Sequence, residues 1–134
     1  MVRELAELLS PQISRNAQLV PIPSTRMKVK ARGFDTIGLL CAQLCKLEHH
    51  RRIHPALSFA RVVRDQVGLN EQQRQANMVG AFQPRLLIQG NFVLIDDVLT
   101  TGATIDAAAQ ALHIAGAKNV TAAVLCGSPQ KRYG

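Results

Sequence analysis

The chain predicts an α/β domain, a parallel twisted sheet flanked by helices. Three observations carry that expectation. Phe92, Val93, Leu94 and Ile95 form an unbroken apolar run, the mark of a strand buried on both faces of a parallel sheet. Ile105, Ala108, Ala109 and Leu112 then follow at i, i+3, i+4 and i+7, one face of a helix. Apolar strand-like segments alternate with helical ones along the rest of the chain, and no internal repeat or low-complexity segment interrupts them.

Each element has its own local reason. Val2, Leu5, Ala6, Leu8 and Leu9 predict an amphipathic helix over residues 2–10, which stops at Ser10-Pro11 because proline disfavours helix in the residue before it. Gln18 to Pro23 reads as a short strand closed by two prolines that lack N–H donors. From Asp35, a suitable N-cap, the residues Ile37, Leu40, Cys41, Leu44 and Leu47 recur at helical spacing. Lys46 to Pro55 is polar and predicts a loop, after which Leu57 to Val63 is β-prone. Asn70 and Gln73 stand in the spacing of a capping box, for a helix running to about Gly80. The strand over Asn91 to Asp96 comes next, and Gly116 is placed to end the helix that follows it. Val120 to Cys126 supplies another buried strand, and the basic tail Ser128 to Gly134 is expected to fray.

The 134 residues and 47% apolar content suit a single domain over residues 1–134. Of the +7 formal charge, +6 falls in residues 1–67 and +1 in residues 68–134. A positive potential this lopsided steers polyanions such as pyrophosphate, nucleotides or nucleic acid to one side. Three cysteines, Cys41, Cys45 and Cys126, make neither a disulfide framework nor a zinc ribbon. Core packing accounts for Cys41 and Cys45. His49, His50 and His54 crowd one loop beside Arg51 and Arg52, where cation repulsion opposes a metal site, and His113 falls on the polar side of its helix. With no apolar run near the ~20 residues a span requires and no signal peptide, a cytoplasmic location is expected.

The chemistry concentrates after the central strand. In open parallel sheets ligands sit beyond the carboxyl ends of the strands, here at Asp96, Asp97 and the turn Leu99 to Thr104. A helix N-terminus offers backbone donors and about half a positive charge; Gly102 lets backbone approach, and threonine hydroxyls add donors, so a phosphate monoester can be held without lysine. The missing Gly-Lys-Ser/Thr excludes a Walker A loop. Two carboxylates beside a phosphate are suited to other work: accepting hydrogen bonds from vicinal ribose hydroxyls, and holding Mg²⁺ directly or through water. Arg26, Lys28, Lys30 and Arg32 alternate with period two, so an extended backbone projects four cations to one side. Lys28 and Lys30 fit a solvated basic loop equally well.

Val93 to Thr104 resembles the phosphoribosyl-pyrophosphate motif of type I phosphoribosyltransferases, whose core is Rossmann-like. Val20-Pro21-Ile22-Pro23, Arg32-Gly33-Phe34, Asp65 to Leu69, Arg74, Asn77 and Gly80-Ala81-Phe82 extend the resemblance to the ComF/GntX branch, over residues 18–126. The resemblance implies that Thr100, Thr101, Gly102, Ala103 and Thr104 clasp a 5-phosphate. It puts Asp96 and Asp97 at the catalytic, ribose-facing and metal-holding positions, and gives the pyrophosphate to Ser24, Thr25, Arg26, Lys28 and Arg32. Residues 61–74 correspond to the segment that closes over substrate, with Gln66 and Arg74 as contacts. No clear threonine stands a few residues before Gln66, where many relatives carry one, so Arg61 and Arg64 receive no role.

The implied activity is that of a Mg²⁺-dependent glycosyltransferase of nucleotide metabolism. It would bind 5-phosphoribosyl 1-pyrophosphate and pass the phosphoribosyl group to an acceptor the sequence does not name. Two alternatives belong to other classes: a ComF-like competence factor that takes up single-stranded DNA and meets competence-machinery proteins, and a non-catalytic sensor of the same ligand. Four Phe and one Tyr offer few stacking platforms for single strands. ComF relatives commonly carry a cysteine-rich zinc module before the region matched here, and these 134 residues contain none.

Overall fold

The computed structural model describes residues 1–24, 35–64, 68–98, 102–126 and 132–133, with backbone alone at 97–98, 125–126 and 132–133. Helix α1 (Val2–Leu9) leads through a 3-10 turn (Ser10–Gln12) to strand β1 (Gln18–Pro21). Helix α2 (Thr36–Leu47) is capped by Asp35, whose Oδ1 accepts from Gly38 N at 3.1 Å. Strand β2 (Leu57–Phe59) and helix α3 (Glu71–Met78) precede strand β3 (Phe82–Pro84). Strand β4 (Gly90–Val98), helix α4 (Ala103–Ala115), strand β5 (Ala117–Cys126) and strand β6 (Arg132–Tyr133) complete the described elements.

The main sheet runs β1-β4-β5-β6. Both β1 and β5 lie parallel to β4, Val20 opposite Leu94 and Ala122 opposite Leu94, so β4 is central. Its apolar run is covered on both sides as the sequence requires. Phe92 and Leu94 pack with Val20, Ile105, Ala108 and Leu112 toward α4, while Val93 and Ile95 pack with Ala6, Leu9, Leu40 and Leu44 toward α1 and α2. Strand alternation separates these two layers. Gly116 ends α4 at φ +116°, a conformation that favours glycine, and a Cβ there would overlap the Ile88 carbonyl oxygen.

Several expectations need correction. The β-prone stretch Leu57 to Val63 forms only the three-residue β2, which pairs antiparallel with β3 in a separate small sheet. Arg61 explains the early end: its guanidinium donates to Asn77 O and Val79 O, both at 2.7 Å, and Asn77 holds the Arg64 backbone through Nδ2 to O at 2.9 Å and Arg64 N to Oδ1 at 3.2 Å. These bonds take the place of a sheet ladder. The tail is not simply frayed, since Arg132 and Tyr133 pair antiparallel with Thr121 and Val120. Leu8 is 70% and Leu47 37% exposed, each at the margin of its helix's apolar stripe. The capping box of α3 is present in both directions, and the helix ends at Met78, two residues short of Gly80. His113, placed on a polar face, is half-buried and its Nδ1 lies 3.1 Å from Ala117 O, tying the end of α4 to β5.

The polar loop before Pro55 holds the largest departure. Leu19 pairs in parallel with Ile53, taking a 3.0 Å bond from its own N to Arg52 O and accepting from His54 N at 2.8 Å, so residues 52–54 extend the sheet beyond β1. Arg51 is only 2% exposed. Its guanidinium donates to the carbonyls of Ile13, Ser14 and Ala17 at 3.1 to 3.2 Å, while burial pulls its pKa below the ordinary value. Local sequence could not show this, because the acceptors are backbone groups more than thirty residues away. Arg51→Met is expected to strip buried carbonyls of their donor and lower unfolding free energy by about 2 kcal/mol, read by urea denaturation, with Arg51→Lys recovering only part of the loss. An unchanged midpoint in Arg51→Met would refute the clamp. Cys41, fully buried on α2, has its thiol pushed up to about 12 by that burial and then by Cys45 and Asp35, in keeping with a packing role.

Candidate functional site

The carboxyl ends of β1 and β4 meet at one rim. Pro21 stands opposite Ile95, and Ile22 N donates to Ile95 O at 3.0 Å, carrying the pairing one step past β1. Asp96 follows immediately. It is half-buried opposite Val124 of β5, and strand alternation puts it on the same side as Leu94 and α4. Asp97 is the next residue of β4. A carboxylate at this position ends the apolar run where the sheet meets solvent.

Beyond β4 the chain re-enters described structure at Gly102, the N-cap of α4, with φ +83° and ψ −5°. That left-handed conformation costs a residue with a Cβ roughly 1 kcal/mol or more, and it turns the chain directly into the helix: Asp106 N already bonds Gly102 O at 2.8 Å. Ala103 is buried beneath the first turn and Thr104 half-buried. The positive end of the α4 dipole therefore opens at the end of the connection that follows Asp96 and Asp97. A strand, a glycine turn and a helix N-terminus in succession form the arrangement that holds phosphate at the edge of parallel sheets.

Beside this rim lies a cavity of about 190 Å³, lined by Pro21 to Ser24, Asp35, Ile37, Pro55 and Leu57. Ser24 is half-buried in its wall. Asp96, Gly102, Ala103, Thr104 and Ser24 thus belong to described structure, as does Arg74, half-buried on α3, which packs on α4. Thr25, Arg26, Lys28, Lys30, Arg32, Gln66, Thr100 and Thr101 lie outside the described residues. The bonds that bind Arg61 and Asn77 to the approach into 65–74 had no signal in the residue pattern beyond Asn77's part in the resemblance. Among the described residues no group of three His, Cys, Asp or Glu side chains gathers as a metal cluster. No helix among them is long and apolar enough to cross a membrane.

A family model for the phosphoribosyl transferase domain matches residues 30–133, and the chain belongs to that family. Among curated relatives, DNA utilization protein YhgH of Escherichia coli O6:H1 is 34% identical over 110 residues, which cover 81% of this chain and 48% of the relative. YhgH of Salmonella typhi is 31% identical over 132 residues, covering 91% of this chain and 58% of its own. The chain thus spans about half the length of these relatives, which agree with the ComF/GntX resemblance. Among solved structures, an allosteric regulatory enzyme of purine biosynthesis superposes with a TM-score of 0.57 at 15% identity, covering 92% of this chain and 25% of that one. Trypanosoma cruzi hypoxanthine phosphoribosyl transferase gives 0.52 at 13% identity, covering 92% and 60%. At these identities the superpositions establish the fold, a parallel sheet flanked by helices of the type I phosphoribosyltransferase kind.

Proposed function

We propose that this domain binds 5-phosphoribosyl 1-pyrophosphate with Mg²⁺ and transfers the phosphoribosyl group to an acceptor nucleophile. The observation that carries the reading is Gly102, left-handed at the N-cap of α4 and following the strand that carries Asp96 and Asp97 near its end. Family membership supports it. In this reading the 5-phosphate sits on the turn Thr100 to Thr104 at the α4 N-terminus, and Asp96 and Asp97 accept hydrogen bonds from the ribose hydroxyls. The donor set suits Mg²⁺, since two adjacent carboxylates supply the hard oxygen ligands that ion prefers, directly or through water. When bound, the ion offsets charge on the pyrophosphate. Ser24, Thr25, Arg26, Lys28 and Arg32 supply donors and positive charge to the same leaving group, and Gln66 and Arg74 are the further contacts that the resemblance implies.

Arg26→Gln with Lys28→Gln is expected to weaken pyrophosphate binding about tenfold more than ribose 5-phosphate binding, as the loss of charge-assisted contacts confined to one subsite predicts. Equal losses for the two ligands would separate those residues from the pyrophosphate. Transfer itself is tested by supplying 5-phosphoribosyl 1-pyrophosphate with a panel of bases and measuring nucleotide and released pyrophosphate. Binding without product from any acceptor would point to a sensor.

A second reading rests on the relatives' name, DNA utilization protein, together with the basic half over residues 1–67. Retention of single-stranded DNA that falls steeply with salt would support it.

A further inference from the structure

The end of the sheet opposite the phosphate turn has a composition of its own. Three segments meet there and are joined by backbone bonds: Arg85 N donates to Ala56 O at 2.7 Å, and Ile88 N to Ala115 O at 2.9 Å. Between the first two lies an open cavity of about 430 Å³ lined by His54, Leu87, Ile88, Gln89 and Phe92. Around it the surface is aliphatic, with Leu87 92%, Leu86 43% and Ile53 41% exposed, and Ile114 72% exposed next to Ala115. Acidic residues are missing from the segments that build this pole: residues 49–64, 72–95 and 107–126 contain no Asp or Glu. Arg85 and Lys118 are exposed there, and Arg52 lies beside Ile53. Glu48, at the end of α2, immediately precedes the first of these segments and stands 3.8 Å from His50. Asp35, Asp96 and Asp106 belong to the other end, at the N-caps or first turns of α2 and α4 and the close of β4.

We propose that this pole is a docking surface for an acidic amphipathic segment of a partner protein, its apolar side chains seated over Ile53, His54 and Leu87 and its carboxylates facing Arg85 and Lys118. Charge complementarity selects this occupant. A second copy of the chain would bring like charge against like, because Arg85 and Lys118 would face their own counterparts. A single nucleic acid strand would satisfy the cations, but it needs exposed rings for stacking, and the exposed residues here are aliphatic while Phe92 is 3% exposed. A helix with apolar anchors at i, i+3, i+4 and i+7 and an acidic back matches an aliphatic groove with a basic rim.

The test uses fluorescence anisotropy on the intact chain with three labelled probes. One is a synthetic helix with leucines at i, i+3, i+4 and i+7 and glutamates elsewhere, the second replaces those glutamates by lysines, and the third is oligothymidylate. The acidic helix is expected to bind, and Leu87→Asp and Arg85→Glu are each expected to weaken it at least about tenfold, as loss of a central anchor or a facing charge does. Leu87 is almost wholly exposed, so Leu87→Asp should fold and keep its response to ribose 5-phosphate, which separates this surface from the phosphate site. The proposal is overturned if the acidic helix fails to bind, if the lysine helix or oligothymidylate binds as well as it does, or if Leu87→Asp leaves its affinity unchanged.

Discussion

The double variant Asp96→Asn, Asp97→Asn is expected to lose Mg²⁺-dependent binding of 5-phosphoribosyl 1-pyrophosphate while remaining folded. Each carboxylate replaced by an amide forfeits charge-assisted hydrogen bonds to hydroxyls and the anionic oxygens that attract the metal. Two such losses amount to about 4 kcal/mol, roughly a thousandfold in affinity. The fold should survive because Asp96 is half-buried at the rim and the apolar run ends at Ile95, which is fully buried. Calorimetry on the folded variant checks this. Wild-type affinity in the double variant would remove the acids from the ribose and metal.

Gly102→Val is expected to have the second largest effect. At φ +83° a β-branched side chain costs about 1–3 kcal/mol of backbone strain, less than the 5–15 kcal/mol that holds a typical domain together. The domain should therefore fold, with a lower midpoint, yet meet the ligand with a displaced or obstructed turn. Binding of ribose 5-phosphate is expected to fall by about 100-fold, equivalent to nearly 3 kcal/mol, and Gly102→Ala by less. Circular dichroism establishes the fold and calorimetry the binding. A folded Gly102→Val protein with undiminished affinity would place the phosphate elsewhere.

The sequence displayed most of what local chemistry determines. The doubly buried β4, the helical face Ile105 to Leu112, the Asp35 cap, the Asn70–Gln73 capping box and the end of α4 at Gly116 all follow from residue type and spacing, and all are present. A glycine at position 102 was expected for close backbone approach, and its left-handed φ of +83° is a conformation that favours glycine. What escaped the sequence depends on distant partners. Arg51 falls in the stretch expected to be a polar loop, yet backbone carbonyls from residues 13–17 draw it inside. Ile53 sat in a polar run and pairs with Leu19 because β1 leaves an open edge there. Leu57 to Val63 had strand-like residues over its length, but after a last cross-strand bond from Ala60 N to Ala81 O, Arg61 and Asn77 tie its second half to the end of α3. Periodicity sees neighbours along the chain and is blind to such crossings.

Titrating the wild-type chain calorimetrically with 5-phosphoribosyl 1-pyrophosphate, first with Mg²⁺ and then with the metal chelated, asks whether the turn after β4 and its two acids form a Mg²⁺-dependent site. Saturable one-to-one binding is expected with Mg²⁺, and a loss of at least about tenfold, or 1.4 kcal/mol, without it. No binding in either condition, or binding indifferent to the metal, would contradict such a site.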